Sequence, residues 1–272
     1  MKCKYLIPLA SLGFAAFLSG PSPALAASGD FAVLAGTAVT CTDSTVVGDV
    51  GVWPGTAVTQ TNCAISGTVH AGDGVAKQAF KAFLAEYDRV AALPCDSFID
   101  GNLAGLVLTP GVYCVAAAST TTDGVLTLDG SSNDTWLFKI GTGGTGALTG
   151  TNFSVVFTGD GEPCNVTWWV AEAATMTDSN FVGTILAGAA ITITRGTFEG
   201  DALAQAAVTM TGTTVTGCEQ TSQPGRSRCN QGVGNGPENC DPGNSNQGDP
   251  SRSNDELGGT PGNPGRKGGN GK

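Results

Sequence analysis

Hydroxyl groups recur at a fixed spacing in the second half of the chain, in Ala173-Ala174-Thr175-Met176-Thr177, Ala190-Ile191-Thr192-Ile193-Thr194 and Ala207-Val208-Thr209-Met210-Thr211. Each copy lies seventeen residues after the last, and the register holds beyond the threonines: Trp169, Leu186 and Leu203 correspond, as do Phe181, Phe198 and Val215. Alternate side chains of a strand point to opposite faces. The two threonines of each copy, with the preceding Ala173 or its equivalent, therefore share one side, while Ala174 and Met176 and their equivalents share the other. Threonine is β-branched and stiff at χ1, so hydroxyls and methyls in such an array are held in place at little entropic cost. Their chemistry is the ordering of water: each hydroxyl anchors a molecule while the methyl restrains its neighbours.

Residue types that move protons or hold metals are poorly placed by comparison. His70 is the single histidine and lies in the strand-like Thr68-Val69-His70, so it is read as structural rather than as part of a triad or zinc site. The carboxylates are scattered over turns, with no pair standing out as a glycosidase dyad. Asp249 to Glu256 loosely resembles a calcium loop but lacks the glycine of its turn. We therefore expect no enzyme, cofactor or metal. Sequons stand at Asn133, Asn152 and Asn165.

A period this short needs a scaffold in which each turn stacks on the next, a coiled β-solenoid whose equivalent positions form ladders. Seventeen residues at about 3.3 Å each make three sides of five or six residues. Threonines within one copy then lie about 6.6 Å apart and coils about 4.8 Å apart. Ala38-Val39-Thr40-Cys41-Thr42 repeats the pattern near the N-terminus, so the chain begins with a coil of the same type, and Cys41 takes the inward position of Met210. From Gly74 to Ala92 the period changes to that of a helix: Val75, Ala79, Phe80, Phe83, Leu84, Tyr87 and Val90 recur at three- and four-residue spacing until Pro94. Short strands resume at Gly105–Leu108, Val125–Leu128, Thr135–Ile140 and Phe153–Phe157, each followed by turn residues.

The helix must cover its apolar stripe. Val166–Val170, Thr184–Ala187 and Ala202–Ala204 are apolar on both faces, as a strand buried on both faces is, so that side of the solenoid is the expected seat. The threonine side is left to water. A bland alternative stays open, since threonine is favoured on any exposed strand and a ladder of it stabilises the stack.

Residues 1–26 read as a secretory signal: Lys2 and Lys4, an apolar run from Leu6 to Leu18, then Ala24-Leu25-Ala26. Export agrees with the cysteines. Eight remain beyond the leader, Cys41, Cys63, Cys95, Cys114, Cys164, Cys218, Cys229 and Cys240, an even number that implies disulfides, taken here as paired in order along the chain. Without Lys2 and Lys4, 11 basic residues face 23 acidic ones, a balance that repels nucleic acid and anionic membranes. No further segment is long enough to span a bilayer. We divide the chain into a signal peptide (1–26), a solenoid domain (27–218) and a Gly/Asn/Pro-rich tail (219–272) with too little apolar surface to order itself.

Phe31-Ala32-Val33-Leu34-Ala35, Val47-Gly48-Asp49-Val50-Gly51-Val52 with Pro54, Gly67-Thr68-Val69-His70-Ala71, Gly105 to Tyr113, Leu126 to Gly130 with Asn133 to Phe138, and the repeats from Trp168 to Gly217 occur in that order. Together they resemble the ice-binding-like family of secreted microbial proteins over residues 29 to 218. The resemblance implies a mostly β fold, a right-handed three-sided β-solenoid with one long α-helix packed alongside, and a flat side that adsorbs to ice and blocks growth and recrystallisation. Carried over residue by residue, the ice-binding positions are Thr40, Thr42, Thr175, Thr177, Thr192, Thr194, Thr209 and Thr211, with Thr127 and Thr149 as weaker candidates toward one end. The grid spacing lies near the oxygen repeats of ice planes. The expected partner is an ice surface, met by a monomer outside the cell. The rival reading is a secreted or cell-surface adhesion module that uses the same rigid side to hold a glycan or another cell-surface component.

Overall fold

A computed structural model describes residues 31–218; the proposed signal peptide, the tail, the Cys229–Cys240 pair and the calcium-like loop lie outside them. In chain order the strands are β1 (Phe31–Ala35), β2 (Ala38–Thr42), β3 (Thr45–Val47), β4 (Asp49–Val52), β5 (Ala57–Thr61), β6 (Ala64–Ile65) and β7 (Val69–Ala71), followed by the helix α1 (Gly74–Ala91). After it come β8 (Ser97–Phe98), β9 (Val107–Leu108), β10 (Gly111–Val115), β11 (Ser119–Asp129), β12 (Trp136–Ile140), β13 (Leu148–Thr158) and β14 (Val166–Val170). The last five are β15 (Ala174–Val182), β16 (Thr184–Ala187), β17 (Ile191–Glu199), β18 (Ala202–Ala204) and β19 (Val208–Thr216).

All pairings are parallel, and they form two long stacks. One runs β7-β4-β1-β18-β16-β14-β12-β10-β8, the other β5-β2-β19-β17-β15-β13-β11-β9. Strands of the second stack bend once along their length, so each coil has three sides. The order is not that of the chain: the N-terminal coils sit on the C-terminal ones, with Val33 beside Ala202 and Thr40 beside Thr209.

Inside, aromatic rings stack along the axis, as Phe138 does on Trp168 (centroids 4.0 Å apart) and Phe181 on Phe198 (5.5 Å). Burial of these large rings is the main driving force for closing the coils. Three disulfides, Cys41–Cys63, Cys95–Cys114 and Cys164–Cys218, tie neighbouring segments in chain order.

The helix lies on the first stack, burying Ala79, Phe80, Phe83 and Val90 against Phe31, Leu34, Trp169, Leu186 and Leu203. Asp73 opens it by accepting the N–H of Ala76, an arrangement that satisfies an orphan donor and holds the Asp73 carboxyl below its ordinary pKa. At the far end the buried Lys139 donates to the carbonyls of Ala91 and Leu93, 2.8 and 2.6 Å away. The helix thus starts beside β7 and ends over β12, six strands along the stack. Eighteen residues at a rise of about 1.5 Å give about 27 Å, against about 29 Å for six strand spacings. The helix returns the chain from one end of the solenoid toward the other.

Two sequence expectations change in detail. The strand expected over Gly105–Leu108 shortens to Val107–Leu108, because Gly105 turns at φ 77°. Those expected at Val125–Leu128 and Phe153–Phe157 are the second halves of β11 and β13, which continue round a corner.

Candidate functional site

The first halves of the second stack build one exposed flat side. Thr59, Thr40, Thr209, Thr192, Thr175, Thr149 and Thr120 are successive partners in one column, and Thr61, Thr42, Thr211, Thr194, Thr177, Thr151 and Thr122 in the next. Every one of these side chains is exposed or half-buried. The intervening residues point inward, where Val39, Cys41, Met176, Ile191, Ile193, Val208 and Met210 are buried. Two positions before the first threonine every rank carries alanine, from Ala57 and Ala38 through Ala118. The face is therefore seven copies of Ala-x-Thr-x-Thr laid side by side, free of charge in its three columns. Gly150 shows how the inner layer is kept level: a Cβ there would come within 2.7 Å of Met176 Sδ, so the glycine makes room for the methionine of the next coil.

Immediately after the second threonine each rank turns. Asn62, Asp43, Gly212, Arg195, Asp178, Asn152 and Asp123 all have φ between 48° and 62°, the left-handed region that asparagine, aspartate and glycine tolerate best. Inside this corner, Ser44 Oγ donates to Thr42 O, Ser179 Oγ to Thr177 O and Thr213 Oγ1 to Gly196 O. Buried hydroxyls thus give hydrogen bonds to carbonyls at the turn. Outside it, Arg195 grips Asp178 through Nε and Nη2 and holds that carboxyl below its ordinary pKa.

The other two sides offer no comparable surface. The helix covers one. Beyond the corner, the outward column runs Thr45, Thr214, Thr197, Asn180, Ser154, Val125, and Glu199 stands beside it. Its side chains differ in size and polarity from coil to coil, so it lacks a repeating grid.

The eight threonines singled out from the sequence all fall in the two columns, and Thr149 joins them. Thr127 does not. It lies past the corner on the third side, between Val107 and Val156. The left-handed turn at Asp123 separates it from Thr120 and Thr122. Sequence reading passed over Thr59, Thr61, Thr120, Thr122 and Thr151. The signal that finds them is the pentapeptide Ala-x-Thr-x-Thr followed by a turn-tolerant residue, at Ala57, Ala118 and Ala147, irrespective of period.

His70 is occupied elsewhere: its Nδ1 lies 2.7 Å from the Asp73 carboxylate that caps the helix, and its ring packs edge-on against Phe31. Among the described residues no three or more His, Cys, Asp or Glu side chains gather as a metal site. No helix among them is long and apolar enough to cross a membrane.

Known proteins share this fold. A family model described as Ice-binding-like matches residues 33–216. A protein of Nostoc sp. (strain HG1) called an ice-binding protein is 38% identical over 198 residues, 69% of this chain and 72% of its own. The solved ice-binding protein of the Antarctic ascomycete Antarctomyces psychrotrophicus superposes with a TM-score of 0.66 at 31% identity, covering 71% of this chain and 96% of that one. An ice-binding protein from an Antarctic biological consortium gives 0.67 at 33% identity, with 78% and 96% covered.

Proposed function

This chain belongs to the ice-binding-like family, and from that premise we propose that it adsorbs to ice through its seven Ala-x-Thr-x-Thr ranks and so inhibits ice growth and recrystallisation. One observation carries the choice of face: of the three sides, this one alone is exposed, free of charge in its columns and repetitive in two directions. The repeat is about 4.8 Å across the coils and about 6.6 Å along a strand. Hydroxyls at such spacing hold a first layer of water in regular positions, and the intervening methyls restrict the other orientations that layer could take. A charged side chain in the columns would instead impose its own tight hydration shell. Once the layer is continuous with a crystal, ice advances only by bulging between bound molecules, which costs interfacial energy and slows growth.

The reading needs no cofactor and no second copy of the chain. Three disulfides in the described domain suit an oxidising compartment outside the cytosol, in keeping with the leader-like N-terminus. The excess of acid over base turns nucleic acid away.

The test is direct. Purified protein is followed in a cooled sucrose film, where small, shaped crystals that fail to coarsen are expected. Thr192→Tyr, in the central rank, places a bulky ring above the plane and should remove the effect while circular dichroism and thermal unfolding stay unchanged. Unshaped crystals and normal coarsening with the wild type at micromolar concentration would overturn the proposal and favour an adhesion module.

A further inference from the structure

Backbone pairing along the face stops at one column. Thr177 pairs with Thr194 and Ser179 with Gly196, but Asp178 and Arg195 between them do not pair. The same gap falls between Thr122–Thr151 and Gly124–Phe153, leaving out Asp123 and Asn152. These are the residues with positive φ, where the run of paired residues is interrupted, although at Asp43 the backbone N–H still donates to Thr61 O of the next coil at 2.9 Å. At three of the six junctions between ranks a bond between the corner side chains crosses as well, and at the junction of Asn152 and Asp178, Phe153 N–H donates to Ser179 Oγ inside the corner. Asn152 Nδ2 donates to Asp123 Oδ1 at 2.7 Å, Asn62 Nδ2 to Asp43 Oδ1 at 2.8 Å, and Arg195 Nη2 to Asp178 Oδ2 at 2.6 Å. Donor and acceptor always come from adjacent coils, and each carboxylate accepts. Glycine stands in the column at 212, next to the junction where β2 docks on β19; there the bridge runs inside the corner, from Thr213 N–H to Ser44 Oγ.

We infer that these corner side chains are positioning residues for the proposed ice-binding face: they clamp adjacent coils where the paired register is interrupted and so hold the outer threonine column, one residue away, level and in register. The inference rests on the ice-binding reading but assigns a role to residues that need not touch ice. An array recognises a lattice only if its repeat is uniform, so a corner free to splay would spoil the fit without unfolding anything. Exposed polar pairs add little to stability, which leaves geometric constraint as the main effect of the bridges.

Arg195→Gly tests this cleanly, since glycine accepts the φ of 58° better than arginine while the bridge to Asp178 is lost. The inference expects an unchanged unfolding temperature, a clear loss of recrystallisation inhibition, and recovery in the charge-swapped Asp178→Arg/Arg195→Asp protein. Full activity in Arg195→Gly overturns it, as does a loss of activity in step with unfolding temperature, or a swap no better than the single variant. Wild type and Thr192→Tyr are run in the same assay. If the wild type is inactive the ice-binding reading falls by itself, and the clamp is then judged by amide hydrogen exchange at Thr177 and Thr194: faster exchange in Arg195→Gly supports it and unchanged exchange rejects it.

Discussion

The hydroxyl of Ser44 accepts a hydrogen bond from the backbone N–H of Thr213, 3.1 Å away and 169 positions further along the chain. Contacts of this kind, together with the pairing of β2 on β19, join the two parts of the proposed ice-binding face. Ranks from the N-terminal coils, carrying Thr40 and Thr59, are laid on a stack that the rest of the chain builds in sequence order from Ala118 to Thr216. Ser44 is buried and also donates to Thr42 O, so one small side chain joins both coils at their seam. Ser44→Ala should leave the Thr213 N–H unsatisfied and destabilise the protein by about 1–3 kcal/mol. Chemical denaturation measures it; an unchanged midpoint would mean that water replaces the hydroxyl.

The strict period from Ala173 to Thr211 was enough to read the solenoid, the inward and outward faces and the seat of the helix from sequence, because three coils without insertions repeat identically. Other coils carry insertions at their remaining corners: Ala118 and Ala147 are 29 residues apart, Ala147 and Ala173 are 26, and Ala38 and Ala57 are 19. A search at one offset therefore misses Thr59, Thr120 and Thr151, although the strands that carry them are as regular as the rest. Thr127 was misplaced for a related reason. Whether a strand continues flat or turns depends on one left-handed residue, and Asp123, like Asp178, marks the turn only once the ranks have been aligned.

The extension of the face to seven ranks makes a prediction distinct from that for the centre. Thr59→Tyr lies on the terminal strand β5 and Thr127→Tyr beyond the corner on the third side. The first should weaken recrystallisation inhibition, though less than Thr192→Tyr, because an edge obstruction leaves most ranks in contact. The second should leave it at the wild-type level. Equal losses from both would show that the third side also meets ice.

Lys139 ties the helix to the solenoid through two carbonyls at the helix end, those of Ala91 and Leu93. Burial pushes its ammonium pKa down, yet both hydrogen bonds call for the N–H donors. Lys139→Met keeps the apolar stem and removes the donors, so the carbonyls lose their partners at a cost of about 1–3 kcal/mol. In a domain of this size each kcal/mol lowers the melting temperature by about 2–4 °C. Faster amide exchange confined to the last helical turn would locate the damage; a variant as stable as wild type would show that water reaches those carbonyls.

Asp201 stands one coil after Thr184 and one before Cys218, stacked between them. Its Oδ1 accepts the N–H of Cys218 at 2.7 Å, and its Oδ2 lies 3.4 Å from Thr184 Oγ1. Burial pushes its carboxyl pKa up to about 7, outweighing the Cys218 and Thr184 hydrogen bonds, which act in the opposite direction. In the unfolded chain the same group ionises near 3.8. Between these two values the folded protein binds the extra proton, so the stability contributed by Asp201 is greatest below about pH 4, declines as pH rises toward 7 and levels off above it. The loss over that interval is on the order of 4 kcal/mol, an upper figure because a charged Asp201 can draw in water. Asp178, Asp73 and Asp134 have depressed pKa values and act in the opposite sense, with their contribution disappearing as pH falls through the acid range. Asp201→Asn separates the two effects. It keeps an acceptor for Cys218 and cannot ionise, so its melting temperature should hold between pH 5 and 8 while that of the wild type declines, with the variant the more stable at pH 8. Parallel melting curves for the two proteins across this range would show that Asp201 does not titrate there.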